Sequence, residues 1–158
     1  MRARIRLSIV LPIYNAGSTI VACMTSALVQ LPECAELICI DDGSTDDSLE
    51  QARRVATDFP ALGQRVLFFS KSNEGLSVAR NFGVARARGA YIGFLDADDM
   101  LAATYCARVL AALDACPGVS IVCFNACVFE ETLQDGVTNR LLVTHATQGA
   151  YRVASKRP

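Results

Sequence analysis

Residues 36–44 read Glu36-Leu37-Ile38-Cys39-Ile40-Asp41-Asp42-Gly43-Ser44, an apolar run that breaks abruptly into two carboxylates and a glycine turn. A short unbroken apolar run of this kind suits a strand covered on both faces. The same grammar recurs three more times. Residues 7–11 run into Pro12-Ile13-Tyr14-Asn15, residues 65–69 into the loop 70–75, and residues 91–95 into Asp96-Ala97-Asp98-Asp99.

Between these runs the apolar residues change to helical spacing: Ile20, Met24, Ala27, Leu28 and Leu31 in the first interval, Leu49, Ala52, Ala56 and Phe59 in the second, Leu76, Ala79, Gly83 and Ala87 in the third. Gly17-Ser18 opens the first helix, Asp46 and Asp47 suit the first turn of the second, and Gly89 ends the third. A fourth helix is expected over 102–115, before Pro117-Gly118, and a fifth strand over 119–124. The order β-α-β-α-β-α-β-α-β implies an α/β fold, a Rossmann-like three-layer arrangement around a mostly parallel sheet. Residues 128–130 and 141–144 flank Asp135-Gly136 and are expected to pair as a hairpin.

The composition fits one folded domain. The chain has 158 residues, 52% of them apolar and 20% charged, which excludes a disordered or fibrous class. Lys and Arg number 15 against 16 Asp and Glu, so there is no general basic field for nucleic acid; Arg2, Arg4 and Arg6 form a small cluster, read as solvated or as touching a membrane surface. The apolar stretch from Leu7 to Tyr14 contains Pro12 and is too short to span a bilayer, and no cleavage pattern of a secretory leader follows. A cytoplasmic location is the expectation. The seven cysteines then stay reduced; with no CxxC pair and only His145 beside them they are expected to pack in the core and not to hold zinc.

In an open α/β sheet the ligand crevice lies beyond the carboxyl ends of the strands, and the polar residues of this chain collect there. Asp96, Asp98 and Asp99 crowd like charges that a cation would relieve, and hard carboxylate oxygens suit Mg²⁺ or Mn²⁺ completed by diphosphate and water. The alternative is an acidic cap on the following helix. Asp41 and Asp42 follow the second strand in the same way; Asp42 either accepts a hydrogen bond from a nucleobase imide or a ribose hydroxyl, or one of the two merely caps the turn. Tyr14 is either a stacking face or rim packing, and Arg80 neutralises phosphate, holds the aspartates, or is a solvated helix residue.

Taken in order, Ser8 to Asn15, Asp41 to Asp46, Asn73 to Asn81 and Gly89 to Asp99 resemble family-two glycosyltransferases, over roughly residues 5–125. The resemblance implies the GT-A fold, with residues 1–125 as the nucleotide-sugar (donor) half and 126–158 as the start of an acceptor side cut short at the C-terminus. It places Pro12 and Tyr14 in the nucleobase pocket, Asp42 on the base, Asp41 behind the same turn and Arg80 beside the nucleotide. Asp96 and Asp98 match the family's DxD element, Asp96 toward the ribose or metal and Asp98 toward the metal, with Asp99 a neighbouring candidate. The donor implied is a nucleoside-diphosphate sugar, with a lean to uridine, and the acceptor a glycan or lipid-linked hydroxyl. The reaction implied is inverting transfer in polysaccharide or lipopolysaccharide synthesis, at the cytoplasmic face of the membrane.

The family's general base follows the DxD element at a distance; Glu130-Glu131 do not sit in a segment resembling its motif, and neither is assigned. A non-catalytic nucleotide-sugar binding module is the competing function. A nucleotidyltransferase would carry a Gly-rich loop after the first strand, an oxidoreductase a GxGxxG there, and a receiver domain its acidic residues after strands one and three; none of these is present. Two structural expectations follow. Asp42 and Asp98 should share one edge on adjacent strands, and the chain from about Val128 should be poorly packed.

Overall fold

The computed structural model describes residues 4–123 in full and the backbone of 125–132, 138–145 and 150–151. Four parallel strands form the central sheet: β1 (Leu7–Ile13), β2 (Ala35–Asp41), β3 (Val66–Ser70) and β4 (Tyr91–Phe94), in the spatial order β3-β2-β1-β4. Between them run α1 (Ile20–Leu28), α2 (Ser48–Thr57) and α3 (Leu76–Val84). Every residue of β1 and β2 is buried, as their unbroken apolar runs require.

Alternation along β1 supplies both cores. Leu7, Ile9, Leu11 and Ile13 point to one face, where Ile20, Cys23, Met24 and Ala27 of α1 and Ala52 of α2 cover them. Val10 points the other way and packs with Ile38, Ile40 and Ala79 under α3. The α4 helix (Tyr105–Ala115) joins the first face through Cys106, Val109 and Leu113, and with α3 on the opposite face the sheet is the middle of three layers. Burying this apolar area is the main stabilising term.

Several expected boundaries move. The α3 helix stops at Val84, and Gly89 does not cap it. Gly89 instead lies flat on β1, where a Cβ would stand 2.6 Å from the Ser8 nitrogen, and its N–H donates to Ser8 Oγ at 2.9 Å. The fully buried Glu36 fastens the same corner, accepting from Ser8 Oγ at 2.6 Å and from the N–H and Nε of Arg88 at 2.8 and 2.6 Å. Residues 102–104 are a turn and not helix, since the carbonyl of Ala102 accepts from Tyr105 N and from Gln30 Nε2.

The expected fifth strand does not join the parallel sheet. Among the described residues there, only Ile121–Val122 (β6) forms a strand, and it pairs antiparallel with β9 (Ala150–Tyr151). At Val119 the contact with β4 is through the Tyr91 side chain: Val119 is buried in the core and its carbonyl accepts the Tyr91 hydroxyl at 2.9 Å, where a fifth parallel strand would have made a backbone ladder. A two-residue strand that the sequence did not signal, β5 (Met100–Leu101), pairs parallel with β8 (Thr138–His145). The hairpin is present as β7 (Asn125–Thr132) antiparallel to β8, longer than expected; Asp135-Gly136 and the packing of side chains from Val128 onward lie outside the described residues. Among the described cysteines, Cys23, Cys39 and Cys106 are core residues, whereas Cys116 and Cys123 are exposed. No helix among the described residues is long and apolar enough to cross a membrane.

Candidate functional site

The chain steps outward from β1 to β2 to β3 and then crosses back to β4 on the far side of β1. At such a reversal the loops after β1 and β4 diverge and leave a crevice at the carboxyl edge. A cavity of about 590 Å³ opens there, within the range of small-molecule sites. Pro12, Tyr14, Asp42, Asn73, Asp96 and Asp98 are among its lining residues.

Asp42 and Asp98 thus share the edge and the cavity, but their strands are not neighbours. Strand β1 lies between β2 and β4 and contributes Pro12 to Asn15 to the wall that the two aspartates flank. The correction matters for what fits: a ligand reaching both carboxylates must cross the end of β1, passing Tyr14, which is 52% exposed.

The loop after β1 is strapped to the loop after β2. Asn15 takes a positive φ of 49°, and its Oδ1 accepts from Thr45 N at 2.8 Å and Thr45 Oγ1 at 3.3 Å. Ser44 Oγ accepts from Asn15 N, Ser48 Oγ from Ala16 N, and Asp46 Oδ2 from Gly17 N. Asp46 also accepts from the N–H and hydroxyl of Ser48, so its work is the cross-loop strap and the start of α2 together. Asp47, at the N-cap position of α2, makes no side-chain cap bond.

Asp41 is buried behind this turn, its Oδ1 accepting from Ser44 N at 3.1 Å. Asp42 is buried at the cavity wall with a much denser set of partners. Its Oδ1 accepts from Lys71 Nζ at 2.8 Å and from Glu74 N at 3.2 Å, and its Oδ2 from Gly75 N at 2.8 Å. Burial pushes the carboxyl up, but the Lys71 ammonium and the two N–H groups together outweigh it and hold Asp42 below its usual value. Lys71 moves the opposite way: burial favours its neutral form, and the bonds to Asp42 and Glu74 overcome that and raise it. Sequence reading placed Lys71 in the loop without a role. The available signal was a lysine one residue past a strand, on the edge that also carries paired aspartates.

On the β4 side, Arg80 of α3 sets Nη2 2.6 Å from Asp96 Oδ1 and 2.8 Å from Oδ2, with its guanidinium 5.7 Å from the Phe94 ring centre. Of the roles open to Arg80, the geometry displays the one that holds an aspartate. Asp98 is exposed, and no hydrogen bond or ion pair from another described residue holds its carboxylate. Asp99 closes the turn through its N–H to the Asp96 carbonyl at 3.0 Å and is not a cavity-lining residue.

No three His, Cys, Asp or Glu side chains among the described residues converge as a ready metal cage. The donor set nevertheless fits a hard dication that brings its own ligands, because Asp98 offers uncommitted carboxylate oxygens beside a cavity and Mg²⁺ characteristically takes only one or two protein carboxylates. Asp96 would reach such an ion only by sharing or releasing Arg80.

Comparison with known proteins bears on the family and the fold. The sequence model of glycosyl transferase family 2 matches residues 8–152. The uncharacterized glycosyltransferase YibD of Escherichia coli K12 is 42% identical over 99 residues, 63% of this chain and 28% of that protein. Escherichia coli chondroitin synthase is 44% identical over 95 residues, 60% of this chain and 13% of its own length. The chain therefore spans under a third of each. Among solved structures, S. aureus TarS 1-349 in complex with UDP-GlcNAc superimposes with a TM-score of 0.63 at 23% identity, over 70% of this chain and 32% of that one. The mannosyltransferase PcManGT from Pyrobaculum calidifontis, in complex with GDP-Man and Mn²⁺, gives 0.63 at 24% identity, over 73% and 34%. At these identities the two structures speak to the fold alone.

Proposed function

The chain belongs to glycosyl transferase family 2, and on that premise we propose that its cavity binds the donor of an inverting, divalent-cation-dependent glycosyltransferase, a nucleoside-diphosphate sugar with uridine preferred. Residues 1–125 form the donor-binding unit in this reading, and 126–158 belong to the acceptor side. The single observation that carries the reading is the placement of Asp42 and Asp98 on one cavity, on either side of the end of β1. That spacing suits an elongated ligand with a base at one end and a diphosphate at the other.

In the proposed complex the base stacks against Tyr14 beside Pro12 and donates to Asp42, while Asp41 holds the turn beneath. Arg80 keeps Asp96 in place at the ribose and diphosphate, and Asp98 takes the divalent cation, with Asp99 adjacent. A bound divalent cation supplies the positive charge that stabilises a departing nucleoside diphosphate. The acceptor hydroxyl oxygen forms its bond to the anomeric carbon as the carbon–oxygen bond to diphosphate breaks on the opposite face, and a carboxylate outside the described residues removes the hydroxyl proton. Polysaccharide or lipopolysaccharide synthesis at the cytoplasmic membrane face, onto a glycan or lipid-linked acceptor, is the proposed setting; the likeness to a chondroitin synthase supports the first part of it.

Calorimetric titration of UDP, GDP and CDP, with and without Mn²⁺, tests the donor site. Metal-dependent UDP binding is the expected result, and binding of none of the three would overturn the reading. Sugar release or transfer from the bound donor then separates an enzyme from a binding module, which would bind without turnover.

A further inference from the structure

Lys71 lies outside the set of residues that the proposed function uses, yet it is the most heavily committed cation of the site. Its side chain is 9% exposed and that of Asp42 4%. The ammonium meets three acceptors: Asp42 Oδ1 at 2.8 Å, the Ser72 carbonyl at 2.5 Å and Glu74 Oε1 at 3.4 Å. The ammonium is thus committed to two hydrogen bonds and a longer ion pair, one of them to Asp42 and the other two within the loop that carries it. The loop 71–75 is thereby folded back on Asp42, and that fold aims the N–H groups of Glu74 and Gly75 at the same carboxylate. Gly43 allows the approach, since a Cβ there would stand 2.8 Å from the Asn73 nitrogen.

A carboxylate offers about four lone-pair positions. Lys71, Glu74 and Gly75 occupy three on Asp42, which leaves one acceptor position on a side chain that lines the cavity.

We propose that Lys71 is a specificity-determining positioning residue: by locking Asp42 as an ionised acceptor with a single open lone pair, it makes the site select bases that present an imide N–H and reject those that present a bare ring nitrogen. Uracil offers such an N–H at N3, whereas cytosine offers a lone pair there, which would face the carboxylate's own. The inference rests on the donor-site reading above. Cytosine's one donor on that edge is the amino group beside N3, which a carboxylate fixed opposite N3 does not meet; without the ammonium, only the N–H groups of Glu74 and Gly75 hold the Asp42 carboxylate, which is then free to turn toward that amino group, and cytosine is no longer excluded.

The experiment titrates UDP and CDP, each with Mn²⁺, into the wild-type chain and into Lys71→Met, Asp42→Asn and the double variant, by calorimetry. A charge-assisted hydrogen bond on one side of the comparison corresponds to a UDP preference of about tenfold or more in the wild type. Lys71→Met is expected to bring the UDP to CDP ratio to within about threefold, and in the Asp42→Asn background the same change should alter UDP affinity by less than about twofold, because its route of action is gone. If Lys71→Met fails to give a cooperative melt, Lys71→Gln, which is shorter and carries no ammonium, replaces it with the same expected narrowing. A wild-type UDP to CDP ratio retained in the variant, or an equal loss of UDP affinity with and without Asp42, would overturn the role of Lys71 while leaving the donor site standing. Absence of nucleotide binding by the wild type would overturn the donor site and this inference together.

Discussion

Arg80 holds both carboxylate oxygens of Asp96 through one nitrogen, at 2.6 and 2.8 Å, while Asp98, two residues further on, has no protein cation beside it among the described residues. Asp96 and Asp98 are therefore unequal before any ligand arrives: one is paired with Arg80 and fixed, the other is exposed and carries no such partner among the described residues. The pair is about a third exposed, so its own worth to stability is small, of order 1 kcal/mol or less. Its consequence is for binding.

Asp98→Asn should accordingly remove the metal dependence of the site. In the wild type, Mn²⁺ is expected to strengthen UDP binding by about tenfold or more, since a hard dication needs a charged oxygen donor and Asn supplies only a neutral one. In the variant, UDP affinity should be the same with and without Mn²⁺, and uridine affinity should match the wild type. An undiminished Mn²⁺ effect by calorimetry would overturn the assignment of the cation to Asp98.

Asp42→Asn should behave in the reverse manner. Asn keeps the size of the side chain but turns one oxygen into a donor, leaving it opposed to the N–H groups of Gly75 or Glu74. Uridine and UDP should weaken together, by about tenfold or more for loss of a charged acceptor, while the ratio of UDP affinities with and without Mn²⁺ stays at its wild-type value. Loss confined to UDP would mean that Asp42 meets the diphosphate and not the base.

The pH dependence of stability follows from the same carboxylate. Asp42 is held below its usual value of 3.8 in the folded chain, so the folded state gains from its ionised form. That contribution is complete above the unfolded value and drains away as pH falls through the folded one. Urea melts at pH 6, 4.5 and 3 should therefore show the wild type losing its advantage over Asp42→Asn mainly in the last step, below about pH 4. A constant gap across the three would mean that the charge of Asp42 adds nothing to folding. Lys71, raised in the folded chain, loses its share only as pH climbs above its usual 10.5, so it leaves the acid window undisturbed.

How much of this was open to inspection in the sequence differs by feature, for physical reasons. The strands of this parallel sheet, fully buried in β1 and β2 and half-buried in β3 and β4, are short apolar runs, so all four are legible within two residues of their ends, and a polar cluster after each run marks the carboxyl edge. Spatial order is not periodic information. Nothing in residues 41–42 or 96–98 reports that β1 separates their strands, because the crossover is decided by which helix covers which face. Lys71 is hidden for a related reason: a charge after a strand normally points to solvent, and only the loop's return onto Asp42 buries it. Gly89 illustrates the opposite error, a helix-stop residue whose real constraint is contact with Ser8 from another strand. The short β5 and β6 carry two residues each, too few for any alternation to register.

Gly83 gives the sharpest test of how the core positions the site. It lies in α3 where that helix crosses β1 and β2, and a Cβ at this position would stand 2.4 Å from Val10 Cγ1 and 3.3 Å from Ile40 Cγ1. On an open helix Gly→Ala is stabilising by about 1 kcal/mol. Here Val10 and Ile40 are fully buried and cannot withdraw, so overpacking at about 1–3 kcal/mol prevails and Gly83→Ala should lower the urea midpoint. The helix can relieve the clash only by lifting from the sheet, and it carries Arg80 one turn earlier. Displacing Arg80 frees Asp96, so UDP affinity should fall along with stability. Val10→Ala removes the two methyl carbons in the way, and in the Gly83→Ala background it should restore UDP affinity even though, made alone, it leaves a cavity and destabilises. A Gly83→Ala chain more stable than the wild type would show that α3 is not seated on β1 as described, and that Arg80 does not owe its position to that contact.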